Sequence, residues 1–202
     1  MPRHFDEPER RAIQAALIKT GTELFGRKGL EKVSVDELCR SARIAKGSFY
    51  AFFPSKEALF LAAVKETEAR IRVKAMEIVR DESLSPAEQF KRLYTDQLKA
   101  MESIPIVRVA MQPETLAVLT RRLPPEAFVD RGDEELLAAL LSAWRARGVK
   151  CRYTVKQLLK VFYALVYIYM HKDEPLVSGV DAFQILWGLL VESLFKGAPH
   201  GK

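Results

Sequence analysis

The stretch from Ser34 to Leu59 constrains this chain more than any other. Ser34 followed three residues later by Glu37 is an S-x-x-E capping box, which predicts a helix start with two orphan amides satisfied. Leu38 and Cys39 then share a face, with Ala42 and Ile44 closing the turn over the same core. A second short helix is expected from about Ala45 to Phe52. Phe49 and Phe53, one helical turn apart, fall on its buried side. Lys46, Ser48, Tyr50 and Ala51 stay outside. That outer face carries a cation, a hydroxyl, a phenol and a small side chain, a set suited to base edges and phosphates in a DNA groove. Pro54 stops the helix, and Ser55 caps the next one.

The remaining pattern is helical throughout. Asp6, Pro8 and Glu9 signal a helix start. Ile13, Ala16, Leu17, Thr20, Gly21, Leu24 and Phe25 then recur at helical spacing, and Gly26 and Gly29 are expected to end that helix. A longer helix is expected from Ser55 to about Arg80, broken at Asp81-Glu82-Ser83. Ser85-Pro86-Ala87-Glu88 opens the next, with a cap, a proline at the first position and Glu at the third. Pro105 and Pro113 imply short helices meeting at an angle. Pro124-Pro125-Glu126 is expected to open a long helix through Phe128, Leu137, Leu140, Leu141 and Trp144 to Gly148, with an irregularity at Arg131-Gly132-Asp133. Thr154 and Gln157 form a second capping box, for a helix closed by His171, Lys172 and Pro175. Ser178 and Asp181 are expected to cap the last helix, ended by Gly197. No alternation of strand type and no internal repeat occurs. The expected fold is all-α, with about nine helices. Residues 1–54 would form a three-helix helix-turn-helix domain, and residues 55–202 a helical bundle.

Composition limits the partners. With 49% hydrophobic and 29% charged residues, the chain has the balance of a soluble globular protein. Its net charge is +6, which is compatible with a polyanionic partner. The excess is not concentrated: residues 1–57 hold 11 Lys/Arg against 8 Asp/Glu, and the rest hold 21 against 18. Charge placement on the outer face of the second short helix therefore carries the nucleic-acid argument. Two distant cysteines, Cys39 and Cys151, read as reduced thiols in a cytoplasmic protein. The most apolar run, Leu158 to Met170, is too short for a bilayer, so no membrane partner is expected.

The segment resembles the helix-turn-helix of TetR-type transcriptional regulators. The resemblance is carried by Lys46-Gly47-Ser48-Phe49-Tyr50, by Phe53 and by Pro54-Ser55-Lys56-Glu57-Ala58-Leu59, and extends over roughly Glu9 to Leu61. It implies a DNA-binding regulator with a C-terminal domain for effector binding and dimerisation. The implied DNA-binding residues are Ser34, Val35, Arg43, Lys46, Gly47, Ser48, Tyr50, Ala51 and Lys56. Ser34 and Val35 would turn free amides toward phosphates. Lys46 and Ser48 would meet base edges or phosphate, and Gly47 would allow close backbone approach. Tyr50 and Lys56 match positions that clamp phosphate in the family. Three positions depart from its pattern. Arg43 stands where Gly is common, Ala45 where a capping residue is usual, and Phe52 where His is frequent. Phe52 lacks a hydrogen-bond donor, so it would either touch a thymine methyl or pack internally.

The resemblance further implies double-stranded palindromic DNA as partner, a homodimer through the last two helices, and a small hydrophobic effector. Tyr94, Met101, Phe128, Trp144, Phe162, Tyr163 and Tyr167 are candidate lining for an effector cavity, with Arg108 orienting a polar end. An aromatic stripe at helical spacing equally describes plain core. No enzyme activity, cofactor or metal is expected. The histidines His4, His171 and His200 are isolated, and no H-E-x-x-H, Cys-x-x-Cys, phosphate loop or G-x-S-x-G occurs. The expected function is a repressor released by its effector. The rivals are an activator or protein-controlled regulator of the same fold, and a helical lipid carrier or enzyme.

Overall fold

Asp6 opens the first helix of the computed structural model, which describes residues 6–128, 132–171 and 182–195. Its carboxylate accepts from the Glu9 amide at 2.7 Å, satisfying one orphan donor. Among the described residues there are ten α-helices and no strands. In chain order they are α1 (Glu7–Lys28), α2 (Val35–Ala42), α3 (Lys46–Phe49), α4 (Lys56–Arg80), α5 (Pro86–Ser103), α6 (Pro105–Ala110), α7 (Pro113–Arg122), α8 (Gly132–Ala146), α9 (Val155–Met170) and α10 (Ala182–Phe195). The caps expected at Ser178 and Asp181, the stop at Gly197, and Lys172, Pro175, Arg131, His4 and His200 lie outside the described residues.

Packing divides the helices into two compact units. The first holds α1 to α3, α4 as far as Ile71, α5 from Gln97, α6 and α7. Leu17, Phe25, Leu30, Leu38, Phe49, Leu59 and Phe60 form its fully buried centre. Phe25 and Phe60 meet edge to face with ring centroids 5.2 Å apart. Gly21 lets α1 lie on α4, since a Cβ there would come within 3.2 Å of Phe25 and 3.3 Å of Leu59. Gly26 does not end α1, contrary to the expectation. The helix continues to Lys28, and Gly29 ends it with φ 83° and its amide on Phe25 O. Gly26 instead admits α6: a Cβ would meet Pro105 at 3.0 Å and the Ile106 nitrogen at 3.1 Å. A helical glycine costs about 1 kcal/mol in propensity, and the close approach of α6 is what it permits.

The second unit holds α4 from Arg72, α5 as far as Asp96, and α8, α9 and α10. Phe90, Leu140, Trp144 and Leu158 are its least exposed hydrophobic side chains. Gln89, buried in α5, donates to the carbonyls of Ile78, Val79 and Asp81 at 3.1, 3.2 and 2.9 Å. It so satisfies the C-terminal carbonyls of α4. Its own carbonyl oxygen accepts from Trp144 Nε1 at 2.9 Å. Both polar ends of the Gln89 amide are thus paired, as burial requires.

The long helix expected from Pro124 is not continuous. Pro125–Phe128 is a short 3-10 turn, and α8 opens at Gly132. The start signal is the acid run Asp133-Glu134-Glu135, which complements the positive end of the helix dipole. Arg72 lies against Gly132, where a Cβ would collide with its guanidinium, and pairs with Asp133 at 3.3 Å. The two other N-terminal boxes form as expected. Ser85 and Glu88 exchange bonds at the head of α5, and Thr154 and Gln157 do so at the head of α9.

Candidate nucleic-acid interface

The α2–turn–α3 segment is assembled from local rules with two local violations. Ser34 Oγ accepts from the Glu37 amide at 3.1 Å and starts α2. The box is only half made, because the Glu37 carboxylate takes Lys28 rather than returning to the Ser34 amide. The helix ends in a Schellman motif: Arg43 N donates to Arg40 O at 3.3 Å, and Ile44 N to Cys39 O at 3.0 Å. That motif needs a left-handed residue. Arg43 supplies it with φ 57° and ψ 42°, the sole non-glycine residue of positive φ among those described. A side chain in this region costs about 1–2 kcal/mol relative to glycine. Ala45 then opens α3 with no side-chain cap bond.

α3 is regular over Lys46–Phe49 alone, shorter than the expected Ala45–Phe52. Beyond it the chain tightens into turns, with Ala51 N on Ser48 O at 3.1 Å and Phe52 N on Phe49 O at 3.0 Å. Pro54 explains this, since it disfavours helical backbone at the residue before it. Phe49 is the anchor. It is fully buried, beside Phe53 and edge-on to Tyr50. Lys46, Gly47, Tyr50 and Ala51 are exposed, Tyr50 by 54%, and Ser48 is half-buried. A Cβ on Gly47 would meet nothing within 4 Å, so nothing among the described residues demands glycine there.

The two lysines of the site differ in what holds them. Lys46 pairs with Asp36 of α2 at 2.9 Å in an exposed contact. The hydrogen bond and the negative charge of Asp36 together raise its ammonium pKa above the usual lysine value. Such pairs are weakly held, so Lys46 is free to exchange Asp36 for another anion. Lys56 is placed differently. Its ammonium donates to the carbonyls of Leu30, Glu31 and Val33 at 2.9, 3.0 and 2.9 Å. An ammonium has three donors, and here all three brace the loop that leads into Ser34 and α2. None is left over for phosphate in this arrangement. Phe52, half-buried, lies under the Arg10 guanidinium, with 5.2 Å between the guanidinium carbon and the ring centroid. It packs internally.

The effector candidates are divided between the units. Met101 is buried, Arg108 exposed and Phe128 half-buried in the first unit. Tyr94 and Trp144 are buried in the second, Phe162 is half-buried, and Tyr163 and Tyr167 are exposed by 52% and 63%. The structure brings Tyr94 and Phe162 together, with ring centroids 6.1 Å apart. It adds two rings from α10, Trp187 at 3.9 Å and Phe183 at 5.3 Å from Tyr94. Trp187 was not foreseen, although it stands one helical turn after Phe183. Among the described residues the buried Tyr94 hydroxyl has no hydrogen-bond partner, and burial pushes its pKa well above the usual phenol range. Tyr163 and Tyr167 of α9, with Ile185, Leu186 and Leu189 of α10, leave large apolar side chains exposed on the second unit. Among the described residues no cluster of three or more His, Cys, Asp or Glu could hold a metal ion, and no helix is long and apolar enough to cross a membrane.

Residues 17–63 match the family model described as bacterial regulatory proteins, tetR family. The chain is similar to the uncharacterized HTH-type transcriptional regulator YuxN of Bacillus subtilis, 48% identical over 46 residues, 23% of this chain and 16% of YuxN. It spans between 16% and 47% of the length of the curated relatives it matches. Among solved structures, RolR in complex with resorcinol has a TM-score of 0.61 at 19% identity, covering 94% of this chain and 90% of RolR. FadR of Thermus thermophilus, in complex with lauroyl-CoA, has a TM-score of 0.62 at 16% identity, covering 94% of this chain and 97% of FadR. At these identities the likeness speaks to the fold.

Proposed function

We infer, from a chain that belongs to the bacterial tetR family of regulatory proteins, that α3 reads an operator and that the protein represses transcription until a small hydrophobic molecule binds. One observation carries the DNA reading. Lys46, Gly47, Tyr50 and Ala51 are exposed together over the buried anchor Phe49, inside the segment that the family model matches. Residues 1–54 would supply DNA recognition, and residues 55–202 effector binding and dimerisation, in the cytoplasm.

A homodimer through α9 and α10 is supported by the exposed Tyr163, Tyr167, Ile185 and Leu189, which need cover. Two-fold symmetry would set two recognition helices about 34–36 Å apart, one turn of DNA, and so favour a palindromic site. The effector would shift the population toward states that miss this spacing, by as much as its affinity for the two states differs. The Tyr94 hydroxyl, set among rings and without a hydrogen-bond partner among the described residues, supports a ligand with a polar end on an apolar body. RolR with resorcinol and FadR with lauroyl-CoA are precedents in fold alone. A second reading, control without a small ligand, is favoured by the rings of Tyr94, Trp187 and Phe183 filling one another's space.

Fluorescence anisotropy tests the DNA reading, with DNA from upstream of the protein's own gene and a scrambled control. Tight, salt-sensitive preference for the upstream DNA is expected, collapsing in Tyr50→Ala. Equal weak binding to both DNAs, unchanged by the substitution, would sink it.

A further inference from the structure

We propose that Arg10 of α1 is a contact to the DNA backbone, with Phe52 as the residue that positions it. The proposal rests on the DNA reading above and adds a side chain outside the helix-turn-helix. Phe52 follows directly on the reading face of Tyr50 and Ala51. Its amide is tied to Phe49 O at 3.0 Å, which fixes its backbone just past the end of α3, and its ring is half-buried. Arg10 arrives from α1, where its amide donates to Asp6 O at 2.8 Å. Its guanidinium lies over the Phe52 ring at 5.2 Å.

Three features point to phosphate as the occupant. Arg10 is exposed. Its guanidinium pairs with none of the described carboxylates, although Glu7 stands one turn away on the same helix. A cation–π contact spends none of the guanidinium's hydrogen-bond capacity on a carboxylate pair and leaves N–H groups for a fork onto phosphate oxygens. The ring also removes freedom that an isolated arginine would have to lose on binding. In helix-turn-helix docking the reading helix enters the groove, while flanking helices run across the backbone. A cation on α1 beside the end of α3 is therefore placed for phosphate rather than for a base edge. Phe52 carries no donor, so the pair supplies at that position the charge that the ring alone lacks.

The test is anisotropy over a salt series with the full chain as wild type, Arg10→Ala, Phe52→Tyr, Phe52→Leu and the double variant Arg10→Ala/Phe52→Leu, with Tyr50→Ala as control of the DNA reading. Arg10→Ala is expected to weaken binding about three- to tenfold on upstream and scrambled DNA alike. It should also flatten the slope of log K against log salt by about 0.9 for each phosphate that Arg10 neutralises. Phe52→Tyr keeps the platform and should bind like wild type. Phe52→Leu should lose part of the Arg10 effect, and the double variant should be no weaker than Arg10→Ala alone. If Arg10→Ala keeps wild-type affinity and slope while Tyr50→Ala collapses, the DNA reading stands and this proposal falls. If Tyr50→Ala also binds like wild type, both fall.

Discussion

The α2–turn–α3 segment and the aromatic centre of the second unit are held together in opposite ways. The first is local. Its capping and turn bonds join residues three to five apart, as in Glu37 N to Ser34 Oγ and Ile44 N to Cys39 O. It carries strain at Arg43 and lacks a cap at Ala45. The second is built across the chain. Phe90 of α5 meets Trp144 of α8 at 5.7 Å, Phe162 of α9 at 5.5 Å and Trp187 of α10 at 4.8 Å. The difference teaches where stability and function are placed. The segment tolerates local defects because the buried Phe49 anchors it and Lys56 braces the loop before it, which leaves its outer face exposed. The aromatic centre has rings on several sides and derives its hold from burial.

The comparison is broken most strongly at Trp144. Trp144→Ala is expected to lower the unfolding free energy by about 3–5 kcal/mol, because it empties a fully buried site and takes the indole donor from the Gln89 oxygen. Urea denaturation measures this, and a drop under about 1 kcal/mol would show that the rings there are dispensable. Next is Lys56→Met, which strips three carbonyls of a charged donor. A destabilisation of about 2–3 kcal/mol is expected, with the salt slope of DNA binding retained. If stability is unchanged and the slope flattens instead, Lys56 serves phosphate rather than the loop.

Gly47→Ala separates fold from function. With open space at the Cβ position, the melting temperature should hold or rise, since alanine is the better helix former. DNA affinity should fall about tenfold, as a methyl intrudes where the backbone nears the groove. Unchanged affinity would remove Gly47 from the interface. The smallest effect belongs to Asp36→Asn. It releases Lys46 and removes a negative charge next to phosphate, and about two- to fivefold tighter DNA binding at low salt is expected. The gain should vanish as salt rises, because the pair is exposed.

Legibility followed the range of the interactions. The helix start at Ser34, the Thr154–Gln157 box, the buried pair Phe49 and Phe53, and the outward Lys46 and Tyr50 could all be read from spacing. Gly26 looked like a helix stop because glycine ends helices more often than it admits a neighbour. Pro125 looked like a helix start because the 3-10 turn and the true start at Gly132 carry overlapping signals. That Lys56 braces a loop could not be read, because its partners, the carbonyls of Leu30, Glu31 and Val33, stand more than twenty residues away. Gln89 gave no sign that it caps α4 and pairs with Trp144. No spacing rule could place Arg10 over Phe52.

By itself the sequence determined the helical class, most helix boundaries, and the pattern of a short helix anchored by Phe49 with its polar residues outward. Those depend on periodicity, caps and proline, which act within one or two turns. The tertiary structure alone decided which polar groups are spent inside the fold and which remain for a partner. A lysine or an arginine reads the same in either role. Only the arrangement of distant carbonyls, carboxylates and rings around it determines whether its donors are already used.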